Sequence, residues 1–332
     1  MITTATRLAT VIARSIAPRR PPTVSAWSDA NRILSSKGSA EPGRWRTSRN
    51  PPLREPMDCL SARSPVRDMV LMFPIQFGKT EVLSNGLGYT MCENPGPIMV
   101  CLPSEIAMTK WVAQKLTPMI DECPAVKRTL TSVASRDAAN TRTFKDFDGG
   151  QLYIEHAGTP GRLKMTSVRT LLVDELDEFA TSLSSGDDPV AMLDGRTSAF
   201  PATFKRAYIS TPGIRGISRT EQLWEKSDRR RYYVPCPDCG HEQPLEWSGL
   251  HWTPDGSQCW YVCRSCGVVI EEHRKTAMIA GGRWVAENPG ASMRGYHINC
   301  LYYQLGLGPR WLDLVQMFRD AQNDPAKLKT FI

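Results

Sequence analysis

The sequence predicts an α/β domain built on a doubly wound, mostly parallel sheet. Short apolar segments with the character of buried strands alternate with segments of helical length from residue 69 onward. The predicted strands are Met69–Phe73, Pro97–Leu102, Gln151–His156, Thr170–Val173 and Arg206–Ile209, and the predicted helices are Glu81–Met91 and Ser104–Ile120. Strands that alternate with helices form parallel sheets whose ligands bind at the carboxyl ends of the strands. With 332 residues, the chain can hold one large domain of this kind and a small additional module.

The first predicted strand leads into a candidate phosphate loop. Its proposed phosphate-binding residues are Gln76, Phe77, Gly78, Lys79 and Thr80. In such loops backbone N–H groups point at phosphate oxygens, a Lys reaches the β- and γ-phosphates, and a Ser or Thr hydroxyl binds Mg²⁺. Gly78 is expected to open the helix, Lys79 to reach the phosphates, and Thr80 to hold the metal.

The match to the full phosphate-loop pattern is partial. That pattern asks for Gly at its first position, where this chain has Phe73 followed by Pro74. The alternative is an ordinary helix start at which Lys79 is merely solvated.

A second motif supports the nucleotide interpretation. The apolar strand Leu171–Val173 ends in two acids, Asp174 and Glu175. Asp174 is expected to orient the Mg²⁺ shell and Glu175 to polarise the attacking water, because phosphoryl transfer depends mainly on positioning and charge neutralisation. The alternative is a helix-capping acid pair, but together with Lys79 the pair favours a P-loop NTPase that hydrolyses ATP.

A third polar segment follows the strand Arg206–Ile209. Ser210 and Thr211 occupy the place expected of a sensor for the γ-phosphate, although such a turn is often only a loop.

Four cysteines form two C-x-x-C knuckles, at Cys236, Cys239, Cys263 and Cys266. Two such turns supply the four ligands of a closed, tetrahedral, structural Zn²⁺ site. Gly240 and Gly267 follow the knuckles and permit tight turns, and a β-hairpin through Trp247 to Trp252 would fill the space between them. Four unligated thiols are the alternative, and they would leave this segment with little to fold it.

The excess positive charge lies at the N-terminus. Residues 1–50 contain nine Lys or Arg and two acids, so they account for the whole net charge of +7. A basic arm of this kind attracts a phosphate backbone or an acidic partner, although it could equally serve only solubility. A second basic run, Arg229–Arg231, is either a solvated face or a contact to DNA phosphates. No apolar run is long enough to predict a membrane helix.

The chain resembles the large terminase subunit of lambda-like tailed bacteriophages. The segments that carry the resemblance are Pro51–Asp58, Gln76–Glu81, Asp174–Phe179, Ser210–Pro212, Tyr232–Gly240, Gly282–Val285 and Lys327–Phe331. The resemblance implies an ATP-driven motor that moves double-stranded DNA through a portal into a procapsid. It also implies a small terminase subunit as partner, a homo-oligomeric ring during packaging, ATP and Mg²⁺ as ligands, and a place in the bacterial host cytoplasm.

The resemblance further implies that only the motor half is present. Members of the family carry a metal-dependent nuclease after the motor, and this sequence stops at Ile332, where such a sequence would continue. We therefore expect no nuclease activity in this chain. The family often has an aromatic residue for adenine where Pro52 stands, which leaves the adenine contact unassigned. Arg162 and Arg169 are candidates for the arginine finger of such motors.

The expected organisation is a basic N-terminal arm (1–50) for DNA or the small subunit, an ATPase domain (51–225), a zinc ribbon (226–285) and a C-terminal part of the motor (286–332). Residues 1–17 are expected to form an amphipathic docking helix, and residues 25–34 a short helix capped by Ser25. An irregular connector is expected over residues 35–56. Two other functions are compatible with the sequence. One is a helicase-like DNA translocase outside packaging, and the other is a non-enzymatic remnant that binds DNA or a partner.

Overall fold

The computed structural model describes residues 20–130, 140–164 and 166–322. The α-helices are α1 (Val24–Asn31), α2 (Arg54–Cys59), α3 (Lys79–Glu93), α4 (Glu105–Trp111), α5 (Thr117–Glu122), α6 (Pro124–Thr129), α7 (Pro160–Lys164), α8 (Pro189–Asp194), α9 (Arg219–Lys226), α10 (Lys275–Ala280) and α11 (Trp311–Ala321). A π-helical turn, Val112–Leu116, joins α4 to α5.

The strands are β1 (Ile33–Leu34), β2 (Gly43–Arg44), β3 (Asp68–Met72), β4 (Ile98–Leu102), β5 (Phe144–Phe147), β6 (Gly150–His156), β7 (Thr170–Asp174), β8 (Lys205–Ser210), β9 (Arg230–Pro235), β10 (Glu242–Pro244), β11 (Leu250–Trp252), β12 (Cys259–Val262), β13 (Val269–Ile270), β14 (Arg283–Ala286) and β15 (Arg294–His297). Short 3-10 turns connect several of them.

A ten-stranded sheet forms the centre of the fold, in the order β10-β9-β15-β3-β8-β7-β4-β6-β5, with β14 paired to β9. The pairs from β9 through β15, β3, β8, β7 and β4 to β6 are parallel. Antiparallel pairing is confined to the two margins, where β5, β10 and β14 lie. The predicted mixed α/β architecture with a mostly parallel sheet is confirmed.

The central predicted strands match the observed strands to within one residue at each end. Both faces of the sheet are covered at its centre, since β4, which is apolar throughout, and β7 are buried along their whole length. The predicted helix over 104–120 begins as expected, since the Ser104 hydroxyl accepts a hydrogen bond from the Ala107 N–H, but the π-helical turn interrupts it. The helix over 81–91 is longer than predicted and starts at Lys79.

The described part of residues 1–50 is folded onto the α/β body rather than extended from it. Thr23, not Ser25 as predicted, caps α1, and Trp27 of that helix is buried against Tyr89 of α3 with the ring centroids 6.4 Å apart. The predicted irregular connector over 35–56 includes β2, which pairs with β1. The amphipathic docking helix predicted within residues 1–17 lies outside the described residues.

The segment predicted as a zinc ribbon, residues 226–285, contributes three strands, β9, β10 and β14, to the main sheet. β9 pairs with β15, while β11, β12 and β13 form a small sheet of their own. The basic run lies at the start of β9, where Arg230 pairs with Asp228 at 2.7 Å and Arg231 with Glu287 at 2.8 Å. These two arginines are therefore engaged within the fold.

Among the described helices, none combines the length and the apolar character that a membrane span requires.

Candidate functional site

A cleft of about 570 Å³ lies at the carboxyl edge of the parallel sheet. Its floor contains the loop of residues 73–80, which joins β3 to α3, together with Glu175 at the end of β7. Residues 34–50, which we call the roof, line the opposite side and include Trp45, Arg44 and Arg46. This position agrees with the rule that ligands of parallel α/β sheets bind at the strands' carboxyl ends.

The 73–80 loop has the tight backbone that its sequence predicts. Gln76 and Gly78 both have positive φ angles, 59° and 100°. A Cβ atom on Gly78 would lie 2.9 Å from Leu53 Cδ1, so glycine is needed there both for its backbone conformation and for space. Asn50 of the roof donates to the Phe77 carbonyl at 2.9 Å and fixes the middle of the loop.

The departure from the usual first position of the loop has a structural explanation. Phe73 is fully buried, and its ring lies 5.5 Å from that of Phe77 and stacks on Trp284 of β14 at 6.2 Å. Aromatic packing anchors the start of this loop, where other phosphate loops have glycine.

Lys79 connects the loop with the two other predicted motifs. Its side chain is almost fully buried, and Nζ lies 2.8 Å from Thr211 Oγ1 and 3.5 Å from Glu175 Oε1. Three segments that are distant in the sequence therefore meet at one ammonium group, and the alternative of a solvated Lys79 is wrong.

Thr80 and Asp174 meet beside this lysine. Thr80 Oγ1 donates to Asp174 Oδ2 at 3.2 Å, while the buried Asp174 Oδ1 has no hydrogen-bond partner among the described residues. Burial raises the pKa of Asp174 to about 7, and Glu175 acts in the same direction against Lys79 and Thr80. A buried carboxylate oxygen without a partner, next to a hydroxyl, has the donor chemistry that a hard divalent cation requires.

Glu175 has a left-handed backbone conformation, with φ at 55°. Such a conformation costs a non-glycine residue energy and occurs preferentially at functional sites. The Glu175 side chain is 40% exposed and lines the cleft. The turn thus separates the buried Asp174 from an accessible carboxylate one residue later.

The predicted sensor residues lie between the two motifs. Ser210 Oγ accepts from the Asp177 N–H at 3.2 Å, and Thr211 binds Lys79 as described above. Sequence reasoning missed Asp177, which accepts from the Gly213 N–H at 2.7 Å and from Thr220 at 2.8 Å. Asp177 therefore fixes the loop that carries Thr211 to the acid segment.

The two arginine-finger candidates differ in position. Arg169 precedes β7 and so lies at the amino edge of the sheet, opposite Asp174, where it donates to the carbonyls of Asn94 and Pro95. The prediction that Arg169 is the arginine finger for the cleft of its own chain is therefore wrong. Arg162 is half-exposed on α7, with Glu155 at 3.6 Å as its ion-pair partner, and stays a candidate.

The segment that leads into the roof is fixed to α3 by a buried charge cluster that sequence reasoning missed. Glu81, one residue after Thr80, pairs with Arg32 at 3.2 Å and with Lys115 at 2.9 Å. Pro52 stands where the family often has an aromatic residue for adenine. It is buried, and its carbonyl accepts a hydrogen bond from Trp284 Nε1 at 2.9 Å. The apolar side chains that line the cleft instead are those of Leu34, Trp45, Leu53, Ile75, Tyr303 and Leu307.

The four knuckle cysteines converge at a second site. Their sulfur atoms all lie within 4.8 Å of one another, and the Cys236–Cys266 and Cys239–Cys263 pairs are each 3.9 Å apart. Tetrahedral zinc with Zn–S bonds of about 2.3 Å places sulfurs about 3.8 Å apart. Gly240 and Gly267 close the two turns with φ of 72° each. The donor set and its spacing therefore fit zinc.

The sequence is similar to known phage proteins over most of its length. It is 27% identical over 342 residues to the large terminase subunit of Enterobacteria phage P21, covering 94% of this chain and 52% of that protein. It is 24% identical over 349 residues to the large terminase subunit of Escherichia phage lambda, covering 96% of this chain and 53% of that protein. The chain thus spans about half the length of these relatives.

Solved structures show a weaker likeness. The HK97 bacteriophage large terminase matches 62% of this chain and 40% of its own, with 13% identity and a TM-score of 0.43. The large terminase ATPase domain of Thermus phage P74-26 matches 81% of this chain and 88% of its own, with 10% identity and a TM-score of 0.39.

The match to a protein family is decisive. The model described as "Phage terminase large subunit gpA, ATPase domain" matches residues 39–284, which include most of the roof, the 73–80 loop, the acid pair and all four knuckle cysteines. This chain belongs to the family of phage terminase large subunits of the gpA type, and it contains their ATPase domain.

Proposed function

We propose that this chain is the ATP-hydrolysing motor of a terminase that translocates double-stranded viral DNA into a procapsid. The observation that carries the proposal is the convergence of Lys79, Thr211 and Glu175 at one edge of the sheet. That arrangement combines a phosphate-binding ammonium group, a polar sensor and a carboxylate in one cleft. Family membership and the similarity to the phage P21 and lambda proteins connect this chemistry with DNA packaging.

Each residue has a distinct role in the proposed P-loop site. The backbone of Gln76, Phe77 and Gly78 cradles the phosphates and Lys79 neutralises their charge, as a Lys does in phosphate loops. Thr80 and Asp174 hold Mg²⁺, which would neutralise charge on the β- and γ-phosphates. Thr80 and Asp174 are already 3.2 Å apart, so little rearrangement is needed.

Glu175 is the proposed group that activates water. It is more exposed than Asp174 and lines the cleft beside Lys79, so it can accept a proton from a water there. Thr211 and Ser210 are placed to report the state of the γ-phosphate. Any movement of Lys79 changes its contact with Thr211 in the loop after β8, and Asp177 couples that loop to the acid segment after β7.

The cysteine site is proposed to hold a structural zinc ion, since four thiolates would leave no open coordination position for chemistry. Double-stranded DNA, the small terminase subunit, the portal and other copies in a ring are proposed partners. Action in the bacterial cytoplasm is part of the same proposal.

Steady-state ATP hydrolysis, with and without linear duplex DNA, tests the proposal. We expect DNA-stimulated turnover in the wild type and its loss in Lys79→Ala and in Glu175→Gln. Glu175→Gln should still bind ATP, because the substitution removes the base but leaves the phosphate cradle intact. Glu178→Gln, an exposed acid three residues later, is the matched control and should hydrolyse ATP normally.

The alternatives give different results in the same assay. Measurable hydrolysis by Lys79→Ala would exclude the assigned site. Strand separation of a forked duplex would favour a helicase-like enzyme, because packaging motors move intact duplex. A folded wild-type protein that binds no ATP would favour a non-enzymatic role.

A further inference from the structure

The cysteine hairpin and the 73–80 loop are connected by two adjacent tyrosines. Both belong to the turn after β15, where a 3-10 helix spans Cys300–Tyr302. Tyr303 donates its hydroxyl to the Ile75 carbonyl in the loop, and Tyr302 donates to the Tyr232 carbonyl on β9. One dipeptide therefore hydrogen-bonds both to the proposed phosphate-binding backbone and to the strand that enters the first knuckle.

The contact on the cysteine side is to the base of a hairpin. β9 and β10 are antiparallel, and the first knuckle, with Cys236 and Cys239, forms the turn between them. Tyr302 contacts both arms, because its hydroxyl also accepts from the Leu245 N–H at 2.6 Å. Asn299 adds a third contact, donating to the Leu245 carbonyl at 2.8 Å. The spacing of the two arms therefore determines where the tyrosine turn lies.

The contact on the loop side is to backbone and rings. Beyond its bond to Ile75, Tyr303 places its ring 5.7 Å from that of Phe77. Tyr303 is 6% exposed, so its hydroxyl has little access to water as an alternative partner. The loop segment held in this way lies directly before Gly78 and Lys79.

A second connection runs in parallel through Trp284. This residue pairs with Tyr232 across β14 and β9, and its ring meets the Tyr232 ring at 5.1 Å. The same ring stacks on Phe73 with an angle of 2° between the planes. The start of the 73–80 loop, at Phe73, thus touches a residue that packs on β9, while Ile75 and Phe77 contact the tyrosine turn.

We propose that Tyr303 and Trp284 are positioning residues that transmit the state of the four-cysteine site to the phosphate loop, so that zinc loading sets the affinity for nucleotide. This inference rests on the proposed function. A zinc ion would join the β9–β10 hairpin to the β12–β13 hairpin through their knuckles and fix the register of β9 and β10 at Tyr232 and Leu245. Without that link the tyrosine turn shifts, and the loop loses the hydrogen bond that holds Ile75.

The test is a double-mutant cycle read by nucleotide binding. The four proteins are the wild type, Tyr303→Phe, Cys239→Ser and the double variant, and the measurement is the Kd for a fluorescent ATP analogue. Loss of one neutral hydrogen bond predicts about three- to tenfold weaker binding by Tyr303→Phe. Cys239→Ser should weaken binding to a similar extent, and the double variant should be no weaker than the weaker single variant, because both act through one contact.

Kinetics separate positioning from a general loss of structure. Tyr303→Phe should raise the KM for ATP and leave kcat within about twofold, since Lys79 and Glu175 are intact. Tyr89→Phe is the matched control, because Tyr89 is also buried and accepts from the backbone N–H of Ala62, but lies away from the loop. It should leave both KM and Kd unchanged.

Chelation of zinc from the wild type gives the same comparison without a mutation. If Cys239→Ser does not fold, titration with a chromogenic chelator while Kd is followed replaces that arm of the cycle. Multiplicative effects in the double variant, or an unchanged Kd after zinc removal, would overturn the inference while leaving the ATPase proposal intact. A wild type that binds no nucleotide would overturn both.

Discussion

The hydroxyl of Thr80 lies 3.2 Å from Oδ2 of Asp174, which joins the first turn of α3 to the end of β7. Their contact places a hydroxyl and a buried carboxylate where a cation would bridge protein and phosphate.

Replacing Asp174 should separate activity from stability. We expect Asp174→Asn to lower ATP hydrolysis by at least about 100-fold, because a metal ligand is lost. Its melting temperature should be equal to or higher than that of the wild type, because burial disfavours the carboxylate that the substitution removes. ATPase assays and thermal unfolding of the same preparation measure both effects.

Asp177 provides the contrast for that experiment. Asp177→Asn should destabilise the protein by about 1–2 kcal/mol. The two carboxylate oxygens accept hydrogen bonds from Gly213 and Thr220, whereas an amide has only one oxygen that can accept, so one of these bonds is lost. A normal turnover rate in Asp174→Asn would show that the metal assignment is wrong.

The buried cluster under the roof should contribute strongly to stability. Glu81→Gln leaves Arg32, which is 4% exposed, without a counter-charge, and we expect a loss of about 3 kcal/mol in the free energy of unfolding. Burial would raise the pKa of Glu81, but Lys115 and Arg32 outweigh it and hold the pKa below its ordinary value. Chemical denaturation at neutral pH is the measurement, with the exposed Glu225→Gln expected to stay within about 0.5 kcal/mol of the wild type. If Glu81→Gln changes the free energy of unfolding as little as Glu225→Gln does, the cluster contributes nothing to stability.

The knuckle cysteines should be distinguishable from a neighbouring cysteine. The purified protein should contain one zinc ion per chain, and Cys239→Ser should lose it together with several degrees of melting temperature. Cys259→Ser, a substitution in β12 outside the cluster, should keep the full zinc content. Metal analysis and thermal unfolding provide the readouts, and zinc retained by Cys239→Ser would exclude the four-cysteine site.

Acid should destabilise the fold partly through His297. Burial lowers the pKa of His297 to about 4, and Arg231 acts in the same direction. The unfolded chain binds the proton more readily than the folded one. The destabilisation caused by His297 is therefore nearly absent at pH 7 and grows as the pH falls from about 6.5 towards 4. His297→Asn should therefore narrow the stability difference between pH 7 and pH 5 by on the order of 1–2 kcal/mol.

The exposed His251→Asn is the control for this comparison. Denaturant midpoints at the two pH values suffice, because any other titrating group affects the variants and the wild type equally. Parallel pH profiles for His297→Asn and the wild type would contradict the prediction.

The sequence predicts the parts of the site that depend on local pattern. Gly78, Lys79 and Asp174 follow from a strand and the residues that come directly after it. Because parallel strands place their carboxyl ends at one edge, the meeting of these groups follows from the alternation of strands and helices. The same rule excludes Arg169 from the cleft of its own chain, because Arg169 stands before its strand and not after it.

The parts that sequence reasoning missed are held by contacts between distant segments. Trp284 touches Phe73, and Tyr303 touches Ile75, but neither pair belongs to a motif with a recognisable spacing. The excess of basic over acidic residues predicts a basic N-terminal arm over residues 1–50, which includes the roof. Its fold depends on partners such as Glu81, which local charge counts do not reveal.

The strand that carries the nucleotide loop has neighbours that the ribosome makes much later. Met69 of β3 pairs with Ala207 of β8 on one side and with Arg294 of β15 on the other. Neither of the two strands that flank β3 in the sheet exists until those segments have been synthesised, and long-range pairing of this kind is slow to form. The carboxyl edge of the sheet is therefore completed only after β15 has been synthesised, by which time both cysteine knuckles have been synthesised as well.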